Sequence, residues 1–351
     1  MLTFTYPQLR DITFRIFQAA GAPADEAGIV ADALVDANEA GIDSHGVQRI
    51  PQYVGWMEKG QVNVGGQIKI VRETEVLAVM DGGWGFGQVV GRKAMQVAIE
   101  KASNVGVGVV SVGECCHVGR LGDYPLLAAG QGMVAIMYAN SHGAGKFVAP
   151  WGGIDRRLSA NPVSIAIPRS SSPPILVDIS TCAIAEGKVR SLLNGEKQLP
   201  PNCVIDANGQ PSTNPADLYG PPQGALLPFG GHKGFGLGLV IDILAGALSG
   251  AGCSRSTTER PGNGFLVFVI DVARFRDREA FDRDVEELLG YVKSSRLAPG
   301  VPEILIPGEP EIRERERRRN DGIPLDHETW RQIVEVVDRY GLTISTPVQA
   351  R

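Results

Sequence analysis

Four of the five histidines in this chain lie in short polar or glycine-flanked segments, the kind of segment where catalytic groups concentrate. They are His45, His117, His142 and His232. One such histidine, taken alone, is more often structural than catalytic. Four together indicate that at least one of them moves a proton near neutral pH, so the sequence predicts acid–base chemistry.

The first of these segments is Ser44-His45-Gly46-Val47-Gln48-Arg49. His45 is a candidate proton carrier, and Arg49 can grip a carboxylate with two parallel hydrogen bonds, which lysine cannot do. If a helix begins here, His45 and Arg49 lie four positions apart on one face. The alternative is that Ser44 only caps a helix and Arg49 only forms a surface ion pair.

The second segment runs from His117 to Tyr124, between a predicted strand and a predicted helix. Free backbone N–H groups and Arg120 at such a junction suit a pyrophosphate. His117 is a candidate general acid or base. Asp123 is either part of this site or simply the cap of the following helix.

Three further positions carry polar groups next to turns. Asp178 ends a strand, where it either accepts hydrogen bonds from ribose hydroxyls, orients a histidine or caps a helix. Lys233, next to His232, stands near a helix N-terminus, where the helix dipole disfavours a positive charge, and this indicates an anionic ligand. The turn Pro307-Gly308-Glu309 adds another acidic group.

The glycine-rich stretch DGGWGFGQVV resembles a Rossmann nucleotide loop, but its spacing is wrong. The G-x-G-x-x-G pattern counted from Gly83 or Gly85 requires glycine at position 88 or 90, and these are Gln88 and Val90. We therefore expect a plain strand-to-helix turn. The sequence also lacks H-E-x-x-H, paired carboxylate clusters and G-x-S-x-G, so metal-dependent and serine hydrolases are disfavoured and no metal is expected.

The composition is that of a globular α/β enzyme. The 351 residues carry a net charge of −5, which argues against a nucleic-acid partner. The five cysteines are an odd number without C-x-x-C pairs, so no disulfide framework is expected. The N-terminus looks like an amphipathic helix rather than a signal peptide, and no apolar run of about 20 residues predicts a membrane span. A cytoplasmic location is the default expectation.

Apolar periodicity predicts the elements that position these groups. Helices are expected over 7–40, 88–103, 123–131, 182–194, 234–249, 278–293 and 326–341, and strands over 76–80, 105–112, 133–139, 165–168, 175–178, 265–270 and 304–306. Residues 195–229 are predicted to form a long irregular loop with a functional role. The helix 234–249 is almost wholly apolar and should be buried on most sides. The charged run 313–319 is interpreted as a solvated helix face, with phosphate contact as the alternative.

Seven motifs occur in an order that resembles the type-2 malate/L-lactate dehydrogenase family. They are SHGVQRIPQYV, DGGWGFGQVVGRKAM, HVGRLGDY, NPVSIAIP, DISTCAIAEGKVR, PFGGHKGFGLGL and IPGEPE, the last followed by R-x-x-x-N-D-G-I. The resemblance spans approximately residues 10 to 345. The sequence around the motifs HVGRLGDY and ALLPFGGHKG is most similar to the hydroxycarboxylate dehydrogenase B branch.

The resemblance implies a non-Rossmann α/β fold with a mixed sheet, plus a helical domain formed by both chain ends. The corresponding domains are 1–70 (helical), 71–312 (α/β, cofactor-binding) and 313–351 (a C-terminal part packing on the helical domain). It also implies a homodimer with the active site near the subunit interface, and a small carboxylate as substrate.

The family's site residues carry over by motif. His117 and His45 match the catalytic histidines, and Arg49 matches the carboxylate-binding position, with Ser44 and Arg120 as further substrate contacts. NAD or NADP would contact His117, Gly119, Arg120, Leu121, Asp178, Ile179, Ser180, His232, Lys233, Gly308 and Glu309. The sequence departs from the family's usual pattern at Glu114-Cys115-Cys116. We predict that Glu114 and Cys116 line the substrate pocket.

The expected reaction is therefore hydride transfer between NAD(P) and a 2-oxo or 2-hydroxy acid, with the cofactor supplying the redox chemistry. Three alternatives remain open at this point. They are a reductase of cyclic or linear 2-imino acids, a non-catalytic dinucleotide-binding protein and, less favoured, a metal-dependent lyase or hydrolase. The residues do not decide between NAD and NADP, nor between His45 and His117 as the proton carrier.

Overall fold

The backbone forms a central sheet flanked by helices, with a second helical layer built from both ends of the chain. The structure is a computed structural model, and it describes residues 1–141, 145–255 and 260–344. The strands in this part are β1 (Leu2–Phe4), β2 (Lys69–Glu73), β3 (Leu77–Asp81), β4 (Val107–Cys115), β5 (Met133–Ser141), β6 (Val163–Ile167), β7 (Ile175–Ile179), β8 (Val204–Ile205), β9 (Pro211–Ser212), β10 (Ala225–Leu226), β11 (Asn263–Asp271) and β12 (Ile323–Leu325). The helices are α1 (Tyr6–Ala19), α2 (Ala24–Glu39), α3 (Ile50–Glu58), α4 (Gly87–Val105), α5 (Asp123–Ala129), α6 (Glu186–Asn194), α7 (Ala216–Tyr219), α8 (His232–Asp242), α9 (Val272–Phe275), α10 (Arg278–Lys293), α11 (Glu309–Asp321) and α12 (His327–Arg339).

The seven-stranded sheet has the order β2-β3-β4-β11-β5-β6-β7. Only β3 and β4 pair in parallel, and every other neighbouring pair is antiparallel. The parallel pair is joined through the glycine-rich turn and α4, which is the crossover that a parallel connection requires. This confirms the predicted mixed sheet and the plain strand-to-helix role of the turn.

The two chain ends meet in a single apolar cluster. β1 pairs antiparallel with β12, with Leu2 opposite Leu325. Buried side chains of α1, α2 and α3 pack in the same cluster as Ile333 and Val336 of α12. A separate cluster lies between the sheet and α4 and α5. The predicted helical layer formed by both ends is thus confirmed, and the domain boundaries at residues 70 and 313 stay a prediction.

Three sequence expectations fail for local reasons. The segment 304–306 is not a strand, because it enters a turn in which the backbone N–H of Ile306 donates to Glu309 Oε2 at 2.9 Å. The helix expected from residue 182 begins only at Glu186, since Thr181 and Ala183 bond instead to the backbone of residues 160 and 227. The excursion 195–229 contains a small sheet of order β10-β8-β9, so it is not wholly irregular.

The apolar helix expected over 234–249 is the clearest correction. α8 continues into a π-helical turn, Ile243–Ala247, and one side packs on β5 and β6. The other side lies on the surface of the chain, with Val240 50%, Ile243 49% and Leu248 60% exposed. Within the described part of the chain this apolar face is therefore uncovered, in contrast to the predicted burial on most sides.

Candidate active site

The segment carrying His45 forms two short 3-10 turns rather than the start of one helix. The turns are Asp43–His45 and Val47–Arg49, and α3 follows them. Arg49 folds back so that its Nε donates to the Ser44 carbonyl at 2.7 Å. Ser44 Oγ lies 3.2 Å from His45 Nδ1, so Ser44 is not a helix cap. The predicted neighbourhood of His45 and Arg49 is present, but backbone folding rather than helical spacing creates it.

His45 and His117 come from different parts of the fold and meet face to face. His117 lies in the loop between β4 and α5. The two imidazole rings are 5.6 Å apart between centroids and 9° from parallel. The two histidines selected by sequence thus share one site at the junction of the helical layer and the sheet.

Both imidazoles are held neutral by their surroundings. Burial lowers the pKa of His45 to about 3, with the charges of Arg49 and Arg120 acting in the same direction. Burial also lowers the pKa of His117 well below its ordinary value, and Arg49 and His45 add to this effect. Near pH 7 each ring therefore has one N–H donor and one bare nitrogen.

Arg49 is the cation that faces these rings. Beyond its bond to Ser44, its Nη1 donates to Gln52 Oε1 at 2.9 Å. No carboxylate forms an ion pair with Arg49 within the described ranges 1–141, 145–255 and 260–344. A guanidinium that is oriented by neutral acceptors and lacks an acidic partner is suited to bind an anion from solution.

Two residues that the sequence analysis missed complete the surroundings of His117. Tyr53 Oη lies 2.6 Å from His117 Nδ1, and Gln88 Nε2 donates to the same hydroxyl at 3.0 Å. Tyr53 stands four positions after Arg49, one helical turn further along α3, which was the available signal. Gln88 occupies the position where a Rossmann loop would have its third glycine.

The glycine-rich turn serves the site by allowing close backbone contact. A Cβ on Gly87 would lie 2.3 Å from the carbonyl oxygen of His117, which no real side chain tolerates. Gly87 is the first residue of α4, so the helix start presses directly on the loop that carries His117. The pattern that imitates a nucleotide loop thus positions a histidine.

Most of the charged run 313–319 is exposed, as the interpretation of a solvated helix face expected, but its Arg318 holds the His45 segment. Arg318 is buried in α11, and its guanidinium donates to both Asp43 carboxylate oxygens at 2.6 and 3.0 Å and to the Asn38 carbonyl at 2.6 Å. Asn38 in turn accepts from the backbone N–H of Val47 at 2.8 Å. Its neighbours in α11 also pair with acids: Arg313 with Glu303, Arg315 and Arg319 with Glu39, and Arg317 with Glu314.

The cofactor residues predicted around Arg120 and Asp178 are in contact. Asp178 Oδ2 accepts from the backbone N–H of Gly122 at 2.9 Å and lies 3.9 Å from Arg120 Nε. Arg120, almost fully buried, also pairs with Asp123 at 2.6 Å, and its Nε has no hydrogen-bond partner in the described part of the chain. Asp123 and Asp178 are therefore tied to Arg120 and Gly122 respectively and are not helix caps. Burial outweighs the nearby Arg120 and raises the pKa of Asp178 to about 6.

The remaining cofactor candidates lie along strand β7. The backbone N–H of Leu176 donates to the Pro307 carbonyl at 3.1 Å, which sets Gly308 beside the start of the strand. The N–H of Phe229 donates to the Thr181 carbonyl at 3.0 Å, which brings the exposed His232 and Lys233 near the end of the strand. Glu309 is already engaged, since it accepts from Lys293 at 2.5 Å.

The remaining candidates from the sequence are Cys116, Glu114 and His142. Cys116 is buried in the helical cluster with its Sγ 3.3 Å from the carbonyls of Gln61 and Trp84, so its side chain does not project freely into a pocket. Glu114 is exposed. His142 lies outside the described residues. Among those that are described, no group of three or more His, Cys, Asp or Glu side chains is arranged to hold a metal, and no helix is long and apolar enough to cross a bilayer.

Comparison with known proteins identifies the same family that the sequence motifs resemble. The family model described as malate/L-lactate dehydrogenase matches residues 4–334. The L-sulfolactate dehydrogenase of Methanocaldococcus jannaschii is 39% identical over 340 residues, covering 95% of this chain and 96% of the relative. Its solved structure superposes with a TM-score of 0.89 at 38% identity, covering 98% of both chains.

Two other proteins are similar over nearly their whole length. Hydroxycarboxylate dehydrogenase B of Escherichia coli K12 is 36% identical over 336 residues, covering 94% of this chain and 92% of the relative. The Δ1-piperideine-2-carboxylate reductase of Pseudomonas syringae pvar. tomato has a TM-score of 0.84 at 29% identity, covering 96% of this chain and 100% of that structure. The fold and the matches define an oxidoreductase of non-Rossmann type. The chain belongs to the malate/L-lactate dehydrogenase family.

Proposed function

We propose that this protein transfers a hydride between NAD(P) and a small 2-oxo or 2-hydroxy carboxylic acid. The observation that carries the proposal is the position of Arg49, a cation without an acidic partner among the described residues, beside two neutral, stacked histidines. A carboxylate held by Arg49 would bring the neighbouring carbonyl or hydroxyl group to the imidazoles. The malate, lactate and sulfolactate named for the family and its relatives all combine a carboxylate with an adjacent hydroxyl.

The residues of the chain would divide the work as follows. Arg49 binds the substrate carboxylate through its free N–H groups, with Ser44 and Arg120 as further contacts. A bound carboxylate compensates Arg49, so that His117 takes up a proton from solvent and, as the imidazolium, gives it to the carbonyl oxygen during reduction. During oxidation the neutral ring removes the proton from the hydroxyl, and His45 is the alternative proton carrier. The nicotinamide, when bound, supplies or accepts the hydride.

The groups along β7 fit a dinucleotide. The orphaned Nε of buried Arg120 and the left-handed Gly119 (φ 71°) provide a donor and a close backbone approach, as a pyrophosphate requires. Asp178 offers a carboxylate to ribose hydroxyls. The exposed Ile179 can pack on a ring, and Gly308, Glu309, His232, Lys233, Ser180 and Leu121 are the further contacts that we propose. Arg313, Arg315 and Arg319 of α11 pair with carboxylates, so we do not assign them to a 2′-phosphate, and the proposal includes both NAD and NADP.

A second candidate function is the reduction of 2-imino acids. The similar structure from P. syringae is named as a reductase of a cyclic 2-imino acid, and it covers 96% of this chain. Arg49 would hold the carboxylate of either substrate, and hydride addition to an imine carbon needs the same arrangement as addition to a ketone carbon.

We further propose a homodimer that covers the apolar face of α8. Leu239, Val240 and Ile243 lie on this face, and the predicted cofactor residues His232 and Lys233 begin the same helix. An interface here would bring a second subunit close to the cofactor site. A cytoplasmic location is proposed as well, and five free thiols are consistent with it.

The test is the absorbance of NADH and of NADPH, followed in the presence of pyruvate, oxaloacetate, phenylpyruvate or sulfopyruvate, each with and without ammonia or methylamine. Turnover of an oxo acid alone is the expected result. Turnover that requires the amine would favour the imino-acid reductase instead. Tight NADH binding without turnover on the whole panel would contradict the proposal and favour a non-catalytic dinucleotide-binding protein.

A further inference from the structure

A short hydrogen-bonded chain reaches His117 from inside the protein. Gln88 Nε2 lies 3.0 Å from Tyr53 Oη, which lies 2.6 Å from His117 Nδ1. Gln88 and Tyr53 are each 2% exposed, so solvent does not compete for these groups. The chain ends on the ring nitrogen that faces the protein interior, and the other nitrogen, Nε2, has no hydrogen-bond partner among the described residues.

The direction of this chain follows from the orientation of the Gln88 amide. In the structure Gln88 directs Nε2 to Tyr53 Oη, which acts as the acceptor, and Gln88 Oε1 is buried without a hydrogen-bond partner among the described residues. The tyrosine hydroxyl has a single hydrogen of its own, and His117 Nδ1 is the acceptor within its reach in the described structure. If Nδ1 carried a proton, the Tyr53 hydrogen would be left buried without an acceptor, which is costly. Nδ1 is therefore the bare nitrogen, and the ring proton is on Nε2.

We propose that Gln88 and Tyr53 are positioning residues that hold His117 as the Nε2–H tautomer, with this N–H presented to the substrate oxygen. The proposal rests on the proposed function for the identity of that oxygen, but the tautomer itself is a property of the free protein. In the resting state, His117 then meets a carbonyl group as a hydrogen-bond donor. A neutral imidazole can polarise a carbonyl in this way.

The surrounding charges keep the participants in the required protonation states. Arg49 and His45 face His117, and burial with these neighbours lowers the pKa of His117 far enough to keep it neutral. Burial raises the pKa of Tyr53 to about 12, although Arg49 and Gln88 act against the rise, so the hydroxyl keeps its proton. Neutral His117 and protonated Tyr53 are the two conditions that the proposed tautomer needs.

The decisive measurement is long-range ¹H–¹⁵N NMR of histidine-labelled full-length protein without cofactor, in which a protonated and a bare ring nitrogen give distinct signals. The His117 signals are assigned from their loss in His117→Asn. In the wild type we expect Nε2 protonated and Nδ1 bare. In Tyr53→Phe the preference should weaken to a mixture of tautomers. Tyr138→Phe, which removes a hydroxyl outside this site, should leave the signals unchanged.

Gln88→Glu is a second variant, which should reverse the donor–acceptor direction of the hydrogen-bonded chain with almost no change in side-chain shape. A carboxylate accepts the Tyr53 hydrogen, so Tyr53 Oη must then accept from His117, and the ring proton should move to Nδ1. In parallel, Tyr53→Phe should lower kcat for carbonyl reduction about tenfold or more, with KM changed less than about threefold, because orientation rather than binding is lost.

Two NMR results would overturn the proposal: a protonated Nδ1 in the wild type, as expected if Gln88 turned its oxygen toward Tyr53, or identical tautomers in wild type, Tyr53→Phe and Gln88→Glu. The tautomer assignment by NMR does not depend on turnover of a substrate. An Nε2–H signal in a protein that reduces no carbonyl substrate would leave the positioning roles standing and refute only the proposed function. If Tyr53→Phe fails to fold, Gln88→Glu alone decides the direction of the chain.

Discussion

The rings of His45 and His117 lie parallel with 5.6 Å between their centroids, and Arg49 acts electrostatically on both of them. Two stacked imidazoles beside a guanidinium cannot both become charged without strong repulsion. Arg49 therefore creates a positive electrostatic potential at the two imidazoles, which stay neutral until an anion binds. A bound carboxylate would compensate Arg49 and make protonation of either ring easier.

The neutral histidines predict a specific loss of stability in acid. In the unfolded chain each histidine titrates near pH 6.5, whereas the folded pKa of His45 is about 3 and that of His117 is also lowered. At pH 7 the folded state binds no proton at these sites, and the unfolded state binds one at only a minor fraction of them. As the pH falls below 6.5, only the unfolded state takes up protons, so the free energy of unfolding falls until the folded pKa is reached.

At pH 5 each histidine should cost about 1–2 kcal/mol, after allowance for partial exposure. Urea unfolding at pH 7.5 and pH 5 should thus show a smaller acid-induced loss in the double variant His45→Gln/His117→Gln than in the wild type. His327→Gln, at the exposed start of α12, is the matched control and should lose as much stability as the wild type. Equal losses in all three proteins would mean that the buried rings titrate normally.

Replacement of each histidine separately should identify the proton carrier. We expect His117→Gln to lower kcat by about 10²–10⁴-fold, because the proposed proton carrier is lost, while NADH affinity stays close to that of the wild type. His45→Gln should lower kcat less. The measurements are steady-state kinetics and fluorescence titration of NADH. Full activity in both variants would refute the acid–base mechanism.

Arg49→Lys should separate geometry from charge. Lysine keeps the positive charge but loses the planar fork, so KM for the oxo acid should rise about 10–100-fold while NADH binding is unaffected. Arg331→Lys is the control, since Arg331 is an exposed residue that pairs with Glu328. An unchanged KM in Arg49→Lys would show that this residue does not hold the carboxylate.

Sequence reasoning selected residues that the structure brings together in one candidate site, because loop histidines and arginines are conspicuous. It also found most of the sheet, because β4, β5 and β11 are apolar runs of nine residues each. It missed Tyr53 and Gln88, since an aromatic residue in an apolar helix and a glutamine after a glycine look like ordinary packing. Their role depends on a contact between α3, α4 and the β4–α5 loop, which no local pattern encodes.

The error about α8 and the unpredicted role of Arg318 in α11 have a common physical cause. Hydrophobic and charged periodicity predicts which face of a helix avoids water, but it does not identify what covers that face. The apolar side of α8 has no cover among the described residues, and Arg315, Arg318 and Arg319 of α11 pair with Glu39 of α2 and with Asp43. Both facts depend on contacts between segments far apart in sequence.

Gly87→Ala should damage the site through the backbone. Its Cβ would lie 2.3 Å from the His117 carbonyl oxygen, so α4 and the loop must separate. We expect a loss of at least about 2 kcal/mol in stability and a large fall in kcat. Gly290→Ala is the matched control, because a Cβ there meets nothing within 4 Å in α10, and it should be neutral or stabilise by up to about 1 kcal/mol. A stable, active Gly87→Ala would show that the loop has room to move.

Arg318→Ala tests whether the C-terminal helix positions the segment that bears His45. Arg318 is the buried cation that joins Asn38 and Asp43, so its loss leaves the Asp43 carboxylate and the Asn38 carbonyl without their donor. Because Asp43 is about half exposed, we expect a cost of about 2 kcal/mol, below that of a fully buried pair, measured by urea unfolding. We also expect kcat/KM to fall about tenfold, since His45 and Arg49 lose their support.

The neighbouring Arg317 provides the control for this experiment. Its side chain is 52% exposed and, among the residues that the structure describes, pairs only with Glu314, so Arg317→Ala should change stability by no more than about 0.5 kcal/mol and leave kcat/KM intact. The stability cost of Arg318→Ala without a loss of kcat/KM would mean that Arg318 stabilises the helical layer but does not orient the site. Loss of both, with Arg317→Ala unaffected, would establish that the last helices of the chain hold the His45 segment in its working geometry.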